Sequence, residues 1–208
     1  MTRTFPLATL ALASTLALTA CAAETTEEEP GTDTSSSATG SAEQISSEHN
    51  EADVTFAQMM IPHHQQAVEM SEMLLAKQDV SREVADFTHG VIDAQGPEIE
   101  RMNAMLEAWG EETMDTGSMD REDMDGSGHG GMSGMMSQED LTALEEAQGA
   151  EASRLYLEQM ITHHEGAVEM AQSQVDEGQN PQALRLAEQV IDAQEAEITE
   201  MEQMIEDL

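Results

Sequence analysis

A phrase rich in nitrogen and sulfur donors occurs twice in this chain, about a hundred residues apart. It reads Met60-Ile61-Pro62-His63-His64-Gln65-Gln66-Ala67-Val68-Glu69-Met70, then Met160-Ile161-Thr162-His163-His164-Glu165-Gly166-Ala167-Val168-Glu169-Met170. A second phrase trails each copy at nearly the same interval. Val91-Ile92-Asp93-Ala94-Gln95 recurs as Val190-Ile191-Asp192-Ala193-Gln194, Glu98-Ile99 as Glu197-Ile198, and Met102 and Met105 as Met201 and Met204. A unit that cannot bury its apolar face alone packs against its twin, so the duplication dictates two similar halves sharing one core.

The period within each half is helical. Advancing about 100° per residue places Phe56, Met59, Met60, His63, Ala67, Met70 and Leu74 on one face. This first helix is expected to start near Asn50 or Asp53, either a suitable N-cap, and to run to about Lys77. The second follows Ser81 and stops at Trp109 before Gly110; its inner stripe is Val91, Ile92, Gln95, Ile99, Met102 and Leu106. In the second half, Asn180-Pro181 is a cap followed by proline at the first helical position. The matching stripe is Val190, Ile191, Gln194, Ile198, Met201 and Ile205. A short helix over 138–147 is expected before the third long one. With three Phe, one Tyr and one Trp, the core must come from Met, Leu, Ile, Val and Ala, which favours helix over sheet. The expected fold is all-α: a four-helix bundle of two tandem helical hairpins, 50–109 and 138–208, forming one domain. Pro62 should kink the first helix and free a carbonyl near Gln58, and Pro97 should act similarly near Asp93. Thr162 and Ala196 stand at the matching places, so the halves are not equivalent.

The flanking segments have other roles. Arg3, an uncharged apolar run over 7–18 and the small-residue site Leu18-Thr19-Ala20-Cys21 read as an export signal over 1–20. The run is short for a membrane span. The pattern looks like a bacterial lipoprotein signal in which Cys21 takes the lipid; the alternative is ordinary cleavage leaving a free thiol. A lone cysteine excludes an intrachain disulfide and a thiolate cluster. Residues 21–49 are acidic and nearly devoid of apolar side chains, as in a flexible tether. Residues 110–137 form a Met-, Gly- and Asp-rich loop between the repeats. Forty-three acidic against seven basic residues, a net charge of −36, exclude nucleic acid as a partner. The expected setting is extracytoplasmic, with the membrane reached through Cys21.

His63 and His163 fall in mid-stripe, where an unpaired imidazole is costly to bury. Gln95 and Gln194 lie on the facing stripes. Two readings stay open: His–Gln pairs that fix helix register, or metal ligands each oriented by its glutamine. His64 and His164 lie toward the stripe edge, nearer solvent, one turn after Met60 and Met160. Met70 and Met170 follow His63 and His163 by two turns. Imidazole nitrogen with thioether sulfur suits Cu(I), although a buried methionine is by default core filler. In the middle loop, Met114, Met119, Met124, His129, Met132, Met135 and Met136 lie among Gly, Ser and Asp, where packing does not explain them. They form a possible auxiliary site for capturing a soft metal, or an unstructured hinge or oxidation sink. A ferritin-type di-iron centre needs Glu-x-x-His on two helices, and none occurs. No nucleophile–base pair, phosphate loop or nucleotide fingerprint occurs either, so no enzyme activity is expected.

The two His-His-x-x-Ala-Val-x-Met phrases, preceded by Met-Ile, resemble the family known as domain of unknown function 305. So do the downstream Ile-x-x-x-Gln-x-x-Glu-Ile-x-x-Met patterns at 92–102 and 191–201. The resemblance spans about residues 50–208 and implies a ferritin-like helical fold in an exported bacterial protein. Some members are linked to copper binding or tolerance. Carried onto this sequence, it implies Met60, His63, His64, Met70 and Met102, with Met160, His163, His164, Met170 and Met201, as candidate ligands. Trp109, similar to a typical end of the first repeat, has no counterpart after Met204. The leading expectation is a lipid-anchored protein that buffers or chaperones Cu(I). The alternatives are an envelope interaction or stress protein with structural His–Gln pairs, and a metal-dependent redox enzyme.

Overall fold

Local capping rules fix where the helices begin. The computed structural model describes residues 44–113 and 133–208. Asn50 and Asp53, the two candidate caps, act together. The Asn50 side chain accepts from the Asp53 backbone N–H, and the Asp53 carboxylate accepts from the Asn50 N–H. From this box α1 runs Glu51–Leu75. Ser81 caps α2, Arg82–Trp109, which ends at Gly110 in the left-handed conformation that glycine adopts without a Cβ clash. A Ser137–Asp140 box starts the short α3, Gln138–Glu146. The third long helix, α4, is Gly149–Glu177, and Asn180 caps α5, Pro181–Asp207. Both α1 and α2 continue as single helices through Pro62 and Pro97.

The order is two hairpins. α1 packs along α2 and α4 along α5; an α1–α4 contact joins the halves, with α2 against α5 opposite and α3 across α1 and α4. Among the described residues there is no strand, as the composition implied. Also among them, no helix is long and apolar enough to cross a membrane. Met60, Met70, Leu74, Met102, Leu106 and Met160 are fully buried. Burying each such side chain contributes roughly 1.5–3 kcal/mol. The Tyr156 and Ser71 hydroxyls meet at 2.8 Å across the α1–α4 contact.

A buried carboxylate ties one end of the bundle together. Asp53, fully enclosed, accepts from the Gln174 side chain at 2.6 Å and from the backbone N–H groups of Gln179 and Asn180 in the α4–α5 turn. Asn180 in turn donates to the carbonyls of Ser46 and Glu48, and the Trp109 indole donates to Ser46. The tether expected to reach residue 49 is thus held from Gln44 onward, whose carbonyl accepts from Gln182. Backbone groups, which the composition of the segment does not reveal, do the holding. The expected signal, Cys21, Met114, Met119, Met124, His129 and Met132 lie outside the described residues.

Candidate metal centre

The α1–α4 contact brings the duplicated phrase face to face. The rings of His63 and His163 lie in van der Waals contact, centroids 3.8 Å apart and tilted by 39°; His164 lies 6.4 Å from His163. All four imidazoles of the two His-His pairs are buried, none more than 1% exposed. Burial first, and then the positive charge His64 would carry, hold the pKa of His63 down to about 3. Burial and the three neighbouring histidines hold His163 well below its ordinary value. Both rings are therefore neutral around pH 7, the form that binds metals.

Hydrogen bonds assign the tautomers. His63 Nε2 lies 3.1 Å from the Ser133 carbonyl, which can only accept, so Nε2 carries the hydrogen. His64 Nε2 donates to Glu98 Oε2 at 2.8 Å, and His164 Nε2 to Glu197 Oε2 at 2.7 Å. In the neutral form of these three rings Nδ1 keeps its lone pair. Nδ1 is buried without a hydrogen-bond partner in all four rings, and so is Nε2 of His163. Such groups are exceptional in folded proteins and require an explanation, a metal-ligand role among them.

Gln95 and Gln194 are not the partners the stripes implied. Both are buried, yet neither is bonded to a histidine; both amide atoms of Gln95 and the carbonyl oxygen of Gln194 lack partners. The rings of His63 and His163 instead meet each other. Nor do His64 and His164 lie near solvent. Each of α1 and α4 is covered by more than one neighbour, so its buried face is wider than a single stripe.

The candidate methionines share this interior. Met60 and Met102 belong to one apolar cluster, with Met170 half-buried against it; Met70, Met160 and Met201 belong to the other. Met136, read from sequence as part of a metal-capturing loop, is core in that second cluster, while Met135 is half-buried. A strap over 133–136 holds it there. The Gln66 amide donates to the Met136 carbonyl at 2.9 Å and accepts from its N–H at 2.7 Å. The strap crosses α4 at Gly166, where a Cβ would sit 2.0 Å from the Ser133 carbonyl oxygen. Gly134 turns there at φ 78°, and Ser133 also donates to Glu169.

Among the described residues, no three His, Cys, Asp or Glu side chains gather to hold one ion. The donors on offer are soft or borderline: neutral ring nitrogen and thioether sulfur. They fit a soft monovalent ion and do not fit an oxygen-seeking divalent one.

The family profile of the domain of unknown function DUF305 matches residues 53–205. The chain belongs to the DUF305 family. A DUF305 fragment from Deinococcus radiodurans superposes with a TM-score of 0.67 at 30% identity, covering 76% of this chain and 98% of that one. A DUF305 protein from Streptomyces coelicolor, named for an expected secretion, gives 0.65 at 31%, covering 75% and 91%. CopM in its Cu(II)-bound form gives 0.62 at 32%, covering 74% and 96%, and CopM is also known in Cu(I)-bound, silver-bound and apo forms. No curated protein matches the chain. In this DUF305 chain, sequence reasoning missed Glu98, Glu197, Ser133 and Gln66. The repetition of Glu98-Ile99 as Glu197-Ile198 was the available signal for the two carboxylates.

Proposed function

We propose that this protein is an extracytoplasmic copper carrier that holds Cu(I) in its helical interior through imidazole and thioether donors and serves as a buffer or chaperone. One observation carries the reading: four buried imidazoles whose Nδ1 atoms have no hydrogen-bond partner, in an interior that also buries Met60, Met70, Met102, Met160 and Met201. The metal-bound forms of CopM, at about a third identity, support it. On this reading the protein binds and releases and does not turn over a substrate. A lipid on Cys21 would keep it at the outer membrane face, and its negative field would raise the local concentration of cations without selecting among them.

The test is a titration of the purified protein with Cu(I) against a competing chelator. Loss of bound copper in the double variant His63→Ala, His163→Ala supports the site; unchanged stoichiometry removes both residues from it. The hydrogen bonds already made by His63, His64 and His164 favour a second reading, in which the histidines are structural ties in an envelope interaction protein. That reading predicts a lower melting temperature in the same variant with no response to metal.

A further inference from the structure

His64 and His164 occupy matching places in the two repeats, and each is fully shielded from solvent. Each donates Nε2–H to a glutamate on the second helix of its own hairpin, at 2.8 and 2.7 Å. The carboxylates stand at the surface, 21% and 22% exposed. Each unit therefore runs inward from solvent as carboxylate, Nε2–H, ring and Nδ1. The arrangement holds although its surroundings differ: Pro62 against Thr162, Gln65 against Glu165, and Gly96-Pro97 against Glu195-Ala196.

Two consequences follow from the carboxylate. Moving the hydrogen to Nδ1 would set the Nε2 lone pair against a carboxylate oxygen, so the pair fixes Nδ1 as the donor atom. The adjacent negative charge also makes that nitrogen a stronger donor and partly offsets the charge of a bound cation. The bond at Nε2 leaves Nδ1 unsatisfied, and Nδ1 is buried and unpartnered in both halves.

We propose that Glu98 and Glu197 are positioning residues of two equivalent ion-binding units, one per repeat. Each presents the Nδ1 atom of His64 or His164 to a soft monovalent cation. The proposal rests on the metal-binding reading above and adds to it which atoms bind and what fixes them.

Silver(I), which is redox-silent, is the probe. Long-range proton–nitrogen correlation spectra of the full-length chain with nitrogen-15-labelled histidine report the state of each ring nitrogen. In metal-free protein His64 and His164 should appear as Nε2–H tautomers. Silver should then move both Nδ1 resonances while Nε2 stays protonated. Glu98→Gln with Glu197→Gln should weaken silver binding by roughly 10–100-fold, and Glu98→Asp with Glu197→Asp should recover part of the loss. Protonated Nδ1 atoms in metal-free protein would overturn the proposal, as would silver that binds without moving Nδ1 of His64 and His164. The second outcome leaves the carrier reading standing, whereas a chain that takes up no silver removes both. The tautomer and shift measurements use the unsubstituted protein, so a variant that fails to fold does not block the test.

Discussion

Acid should destabilise the metal-free protein through His63 and His163, and the share of His63 can be worked out beforehand. The pKa of His63 is lowered from 6.5 to about 3 in the folded chain. The unfolded chain therefore takes up the proton first. Stability is full above about pH 6.5, declines as pH falls, and levels off once folded His63 protonates near pH 3. Between pH 7 and pH 5 the loss from one such ring is about 2 kcal/mol. His163, also held well below its ordinary value by burial, costs stability in the same direction, so the pair removes more than one ring alone. Even the loss from one ring is a sizeable share of the roughly 5–15 kcal/mol typical of a domain. The 43 acidic residues complicate a direct reading, because their self-repulsion changes over the same range. Comparison with the double variant His63→Gln, His163→Gln cancels that background. Urea unfolding of both proteins at pH 7 and pH 5, analysed at a common m-value, gives the difference of differences. The unsubstituted chain should lose at least about 2 kcal/mol more than the variant, the share of His63 alone. Parallel losses would refute the claim that these rings are held neutral by burial.

Three further substitutions test how the site is built. Gln66→Ala removes both bonds to Met136 and should lower stability by about 1–3 kcal/mol, with faster amide exchange at Met136 than elsewhere. Gly166→Ala places a Cβ against the Ser133 carbonyl oxygen, so the strap must lift, and the His63 Nε2 proton should lose its protection from exchange. Asp53→Ala deprives the backbone N–H groups of Gln179 and Asn180 and the side chain of Gln174 of their acceptor, and should lower stability by about 3 kcal/mol by thermal or urea unfolding.

Most of the fold could be read from the sequence, because its determinants are local. Asn50, Ser81, Ser137 and Asn180 cap through bonds to residues two or three positions on, and a helical count sees that spacing. The site was less legible because its contacts are not local. The count placed His63 and His163 inside but could not say that each would meet the other, since the angle at which α1 crosses α4 is a property of the assembled bundle. It placed Gln95 and Gln194 inside too, and by chemical affinity alone they were natural partners for an imidazole. It put His64 and His164 at a stripe edge because it allowed each helix one neighbour. The Ser133 carbonyl carries no sequence signature, since every residue has one.

One departure from repeat symmetry builds the strap. Gln66 and Gly166 hold the same position in the duplicated phrase, and both serve the strap: the first grips Met136 by its backbone, and the second yields the space in which Ser133 crosses α4. Neither residue could do the other's task, because glycine has no amide to offer and glutamine at 166 would occupy the path of the strap. The consequence reaches the imidazoles. The strap supplies an acceptor to His63 and none to His163, its partner in ring contact. The outer pair, His64 and His164, escapes this asymmetry because its partners, Glu98 and Glu197, come from within each hairpin. Duplication thus accounts for the pair of outer units, while divergence at one position of the repeat accounts for the unequal inner pair. If that account is right, Gln66→Gly should make His63 resemble His163 in its nitrogen resonances and leave His64 and His164 unchanged. A spectrum in which all four rings shift together would mean that the strap organises the whole cluster.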